Sequence, residues 1–141
     1  MNNNPTILLI DDDIYVLNAA RCMFTLNRYN VLSATSLSQA RSVLENANPD
    51  IILMETNLPD GDGFDFFKEI ENATSASIVF LTAKTESRYE VLGLKMGADG
   101  YLKKPFNKEV VGVRMDAVMQ WHRKNKGGSR FNNRTQPSAT M

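Results

Sequence analysis

The sequence predicts an α/β protein, a doubly wound parallel sheet with helices on both faces, and three observations carry that prediction. Residues 7–10 (Ile-Leu-Leu-Ile), 51–54 (Ile-Ile-Leu-Met) and 78–81 (Ile-Val-Phe-Leu) are unbroken apolar runs of strand length, the pattern of strands covered on both faces. The segments between them repeat apolar residues at helical spacing. Acidic and turn-forming residues collect just after the runs, at Asp11, Asp12 and Asp13 and again at Glu55, Asn57, Pro59, Asp60, Gly61, Asp62 and Gly63. In open α/β sheets the C-terminal strand edge is where ligands bind. A chain of 141 residues has room for one such domain and not for two.

Taken in order, residues 6–10 form the first strand, and Asp12 or Asp13 caps a helix carried by Leu17, Ala20 and Phe24. Residues 30–34 form a second strand. Ser36 and Gln39 have the spacing of a capping box, opening a helix on Leu37, Ala40, Leu44 and Ala47 that Pro49 and Asp50 end. After the central strand, Phe64, Phe67 and Ile70 mark a third helix and residues 77–81 a fourth strand. Residues 86–96 form a helix stopped by Gly97, and residues 100–103 a short fifth strand. Pro105 blocks its continuation, and Asn107 caps a last helix running to about residue 124 on Val110, Val111, Ala117, Val118 and Trp121. The domain therefore spans residues 1–124. Residues 125–141 are polar, contain glycine and hold almost no large apolar side chain, so they read as a flexible tail or linker.

The formal net charge of zero conceals an asymmetry, because Arg123, Lys124, Lys126, Arg130 and Arg134 leave the body acidic and the end basic. An acidic body with a sparse basic end is not a nucleic-acid surface, so direct nucleic-acid binding is not expected. No apolar run approaches a membrane span, and residues 1–5 lack the features of a signal peptide, which predicts a cytoplasmic protein without membrane attachment. The single cysteine, Cys22, reads as a small buried hydrophobe. His122 reads as a solvated helix-end residue, and Asp60 and Asp62 as turn acids bonded to their own backbone.

An acid pair after the first strand, a carboxylate ending the third, Thr82 ending the fourth and Lys104-Pro105 after the fifth follow one another at helix-sized intervals. From residue 6 to about residue 124 this closely resembles the receiver domain of two-component response regulators. The resemblance implies a flavodoxin-like (βα)5 three-layer sandwich with strand order 2-1-3-4-5, in which Asp11, Asp12 and Glu55 meet in the crevice where the order reverses. It further implies Mg²⁺ or Mn²⁺ held by Asp11, Asp12, Glu55 and the Asn57 carbonyl, a phosphoryl-contacting Lys104, and a switch formed by Thr82 and Tyr101. The implied partners are a sensor histidine kinase or phosphotransfer protein, and an output domain or partner protein engaged through the face of the fourth helix, fifth strand and fifth helix. A phosphoacceptor module of this kind is not an enzyme beyond acting on its own phosphoryl group.

One position departs from the family pattern. Glu55 stands where receivers carry the aspartate that is phosphorylated. The extra methylene moves the carboxylate about 1.5 Å outward, whereas in-line phosphoryl transfer is sensitive to displacements of about 1 Å. The expectation is a pseudo-receiver that is not phosphorylated and imitates the phosphorylated state in part, one charge standing for nearly two. The alternatives are a conventional Mg²⁺-dependent receiver whose acceptor has been exchanged for Glu, and a Mg²⁺-dependent phosphohydrolase, which would need an aspartate at the strand end that this chain does not have.

Overall fold

The computed structural model describes residues 3–125, and the expected tail over residues 125–141 lies, apart from Asn125, outside them. Five strands, β1 (Thr6–Ile10), β2 (Asn30–Ala34), β3 (Ile51–Met54), β4 (Ser77–Thr82) and β5 (Gly100–Lys103), form one parallel sheet in the order β2-β1-β3-β4-β5. Five helices alternate with them: α1 (Ile14–Leu26), α2 (Leu37–Asn46), α3 (Gly63–Ile70), α4 (Ser87–Met96) and α5 (Lys108–Lys124). The expected strand order is the observed one. Between β3 and α3 the expected turn is a short antiparallel ladder in which Asn57–Leu58 pairs with Gly61–Asp62.

The pleat sorts the strand residues into two cores. Leu8, Ile10, Ile52, Met54, Ile78 and Phe80 pack with the aromatic face of α3, Phe64, Phe66 and Phe67. Ile7, Leu9, Ile51, Leu53, Val79 and Leu81 pack with Leu17 and Phe24 of α1 and Val111, Met115 and Met119 of α5. Adjacent strand residues face opposite layers, so both faces must be apolar, and that explains the unbroken apolar runs.

The helix ends follow local chemistry. The Asp13 carboxylate accepts from the amides of Tyr15 and Val16, and the Asn107 side chain from those of Glu109 and Val110. The Ser36 hydroxyl accepts from Gln39 N–H, but the Gln39 carbonyl turns to the amide and hydroxyl of Thr35 and not to the cap residue itself. Gly97 ends α4 at φ 110°, a left-handed conformation that favours glycine.

Three expectations are corrected. Cys22 is exposed, because α1 turns Leu17, Ala20, Met23 and Phe24 inward. In α5 the buried stripe is Val111, Gly112, Met115 and Met119, while Val110 and Trp121 are 50% and 38% exposed. The long methionines, weak as pattern markers, set the phase of that helix. His122 is not solvated: its Nδ1 lies 3.1 Å from the Ser77 hydroxyl and its Nε2 3.6 Å from Asp50 Oδ1. Among the described residues no helix is long and apolar enough to cross a membrane.

Candidate functional site

The parallel register aligns Ile10, Met54, Phe80 and Tyr101 in one row across the sheet. One residue further, β1 and β3 deliver Asp11 and Glu55 to the C-terminal edge side by side. Glu55 N–H donates to the carbonyl of Ile10, which extends the pairing to the acids. Two residues beyond Met54 and Phe80 stand Thr56 and Thr82, returned by the pleat to one face. Lys104 follows β5, its amide donating to the Thr82 carbonyl and its peptide bond to Pro105 cis.

Asp11 and Glu55 are 5% and 6% exposed, and two buried carboxylates side by side need compensation. Lys104 supplies it, its Nζ 2.7 Å from Asp11 Oδ2 and 2.9 Å from Glu55 Oε1. The remaining oxygens are also engaged. Asp11 Oδ1 accepts from Asp13 N–H at 2.9 Å, and Glu55 Oε2 from Thr56 N–H at 2.6 Å, Asn57 N–H at 3.2 Å and the Thr56 hydroxyl at 3.2 Å.

These contacts set the acidities. Burial pushes the Glu55 carboxyl up, but the hydroxyl of Thr82, the ammonium of Lys104 and the Thr56 amide more than offset it, and the group lies below its ordinary value. For Asp11 burial prevails over the help of Lys104 and the Asp13 amide, and the group lies above its ordinary value. Burial pulls Lys104 down, yet its bonds to both acids leave it raised. The site thus holds an ionised Glu55 against a charged Lys104.

Thr82 is fully buried, its Oγ1 2.8 Å from the Thr56 hydroxyl and accepting from Lys84 N–H at 3.1 Å. Either threonine hydroxyl can donate in this bond, so both stand as donors within reach of the Glu55 carboxylate, which only accepts. Tyr101 packs on Phe80 and donates from its hydroxyl to the Lys84 carbonyl at 2.7 Å. Burial, with the charges of Glu55 and Glu90, pushes its phenol up to about 12. The chain of contacts runs from Lys104 through Glu55, Thr56, Thr82 and Lys84 to Tyr101.

Of the expected site residues, Asp11, Glu55, Thr82 and Lys104 come together, Asn57 reaches Glu55 through its backbone amide, and Tyr101 joins through Lys84. The Asp12 side chain is exposed beside them. Thr56 was not expected. Its signal was its place two residues past Met54, on the face of Thr82, which shows only once the register of β3 and β4 is known. Asp60 was assigned to its own turn. Instead its carboxylate reaches the free amides of Leu37 and Ser38 at the start of α2.

Receiver domains typically bind Mg²⁺ at the acceptor position, and the residues present here do not fit such an ion as arranged. The facing oxygens of Asp11 and Glu55 are taken by the Lys104 ammonium, and their other oxygens by amides. Among the described residues no three His, Cys, Asp or Glu side chains stand close enough to hold a metal.

A sheet reversing between β1 and β3, with its acids, threonine and lysine on one rim, is the architecture of a phosphorelay receiver module. The profile described as Response regulator receiver domain matches residues 7–115. This chain belongs to that family, whose members are generally non-enzymatic signalling modules of two-component systems. It is 33% identical over 112 residues to the transcriptional regulatory protein KdpE of Staphylococcus aureus, which covers 79% of this chain and 48% of that protein. It is also 33% identical over 114 residues to the transcriptional regulatory protein CpxR of Klebsiella pneumoniae, covering 81% and 49% respectively. The chain spans about half the length of the curated relatives it matches. In structure it is similar to a two-component response regulator from Clostridium difficile, with a TM-score of 0.80 at 28% identity, covering 83% of this chain and 97% of that one.

Proposed function

We propose that this chain is a receiver module kept in one signalling state by Glu55, which is not phosphorylated and stands in for part of a phosphoryl group. The observation that carries the reading is the double engagement of the Glu55 carboxylate, Oε1 on Lys104 and Oε2 on the amides of Thr56 and Asn57. An attacking oxygen must be presented in line with phosphorus, and here Oε1 faces the Lys104 ammonium while Oε2 faces the two amides. The same contacts give Lys104 and the threonines an anion to hold, as they would hold a phosphoryl oxygen. Asp11 completes the charge balance, Thr82 and Tyr101 form the switch that reads the site, and Asp12 remains at the solvent edge.

On this reading the chain is no enzyme and acts in the cytoplasm. Its upstream partner is a sensor histidine kinase or phosphotransfer protein, and its output domain or partner protein docks on the face of α4, β5 and α5. Val91, Leu92 and Leu94 of α4 are between 45% and 49% exposed, as an apolar docking surface requires.

The test is phosphoryl acceptance. Incubated with Mg²⁺ and acetyl phosphate, the protein should gain no phosphoryl mass in intact-protein mass spectrometry, whereas Glu55→Asp should gain one. The shorter side chain draws the carboxylate about 1.5 Å back from Lys104, to the reach that in-line attack requires. Equal phosphorylation of both proteins would refute the proposal.

A further inference from the structure

We infer that Lys104 is the resident cation of this site and that it closes the acid pair to divalent metals. The inference rests on the reading of Glu55 as the carboxylate of the acceptor position, and it adds what that carboxylate has displaced.

Three observations lead to it. Lys104 Nζ bonds the facing oxygens of Asp11 and Glu55 together, at 2.7 and 2.9 Å. A small divalent ion would require those same oxygens at about 2.0–2.1 Å in near-octahedral order, so ion and ammonium compete for one place. The outer oxygens are not in reserve either. They accept from the amides of Asp13, Thr56 and Asn57, backbone donors fixed by the first turn of α1 and the end of β3, which cannot swing aside as water does. Finally, the ammonium is aimed from a fixed base, because Lys104 N–H is bonded to the Thr82 carbonyl at the end of β4. The Lys104 side chain is 15% exposed, against 7% for each acid, so all three charged groups are largely withdrawn from solvent.

The length of Glu55 is the origin of this closure. Its extra methylene carries the carboxylate about 1.5 Å further out, where one oxygen meets the Lys104 ammonium and the other the amides that follow it in the chain. An aspartate at this position draws the carboxylate back from that place and loosens the closure. The chain would then hold its signalling arrangement at any level of magnesium, in contrast to a module that needs the ion for its chemistry.

The experiment is a titration with Mn²⁺ followed by paramagnetic broadening of backbone amide signals, with no phosphodonor present. At about 1 mM Mn²⁺ the protein should show no selective broadening at Asp11, Glu55 and Thr56, while Glu55→Asp and Lys104→Met should both show it, with affinity raised about tenfold or more. Native amide spectra of the variants establish their folding, and if Lys104→Met does not fold, Glu55→Asp carries the comparison. Broadening of those amides in the unaltered protein at the same Mn²⁺ concentration as in the variants would overturn the inference. So would a folded Lys104→Met that binds no Mn²⁺. The Mn²⁺ titration contains no phosphodonor, so metal binding without phosphoryl gain would overturn this inference and leave the proposed function standing, whereas phosphorylation of the unaltered protein in Mg²⁺ would refute the proposed function.

Discussion

Lys104 holds one positive charge between two buried carboxylates, so Lys104, Asp11 and Glu55 titrate as a coupled group. Replacing the lysine with methionine leaves two uncompensated charges in a site where each acid side chain is 7% exposed. Removal of one partner from a buried pair costs about 3–5 kcal/mol, and urea unfolding of Lys104→Met near neutral pH should show a loss of that order. The acids respond oppositely to pH. Glu55 is lowered from 4.5, so it contributes stability above that value that is lost as pH falls through its folded pKa. Asp11 is raised from 3.8, so its contribution favours folding in acid and is lost as pH rises through its folded pKa. Unfolding curves of Glu55→Gln, taken from about pH 7 to about pH 3, should therefore lose less stability on acidification than those of the unaltered protein. An equal or steeper loss would show that Glu55 is not held ionised.

At the scale of elements, α3 lies so close to the end of β3 that its first residue must lack a side chain. A methyl group on Gly63 would stand 2.5 Å from the Glu55 carbonyl oxygen and 2.8 Å from Thr56 Cα, both backbone atoms with no freedom to yield. Gly63→Ala should cost about 1–3 kcal/mol by overpacking and shift the amide signals of Glu55 and Thr56; unchanged stability would mean that α3 is not seated on that strand end. Asp60→Ala removes the acceptor for the first amides of α2 and should lower the melting temperature by a few degrees. The strands were legible in the sequence because parallel burial on both faces leaves unbroken apolar runs, and β1, β2, β3 and β5 begin and end where expected. The helix faces were less so. In α5, Val110 and Trp121 suggested one phase and Met115 and Met119 impose another, because burial there follows how the helix is seated against α1 and β4 rather than hydrophobicity alone. Asp11, Glu55, Thr82 and Lys104 were legible since each stands just past an apolar run. Thr56 and Asp60 were hidden because their roles depend on which residue lies across from them in space.

The whole molecule keeps its chemistry and one of its ties at opposite edges of the sheet. The acids, threonines and lysine occupy the C-terminal edge. At the N-terminal edge α5 is pinned by His122 to Ser77 and Asp50, and Asp50 Oδ2 accepts from Thr6 N–H, so one acid links β1, β3 and α5. Ser77 and Thr82 are the two ends of β4, and strand geometry places them about 17 Å apart. Effects at sites so far apart with no shared partner are additive. His122→Ala should therefore weaken the fold, by about 1–3 kcal/mol for the buried hydroxyl left without its partner, and leave the acceptor edge unchanged. Placed in the Glu55→Asp background, it should lower the urea midpoint while the phosphoryl mass gained from acetyl phosphate stays the same. If phosphorylation fell with stability under conditions where the double variant is still folded, α5 would transmit strain from one edge to the other, through its packing on Leu9, Leu53 and Leu81. These residues directly precede the site on their strands or lie one turn of the pleat below it, so that route is the one such a result would identify.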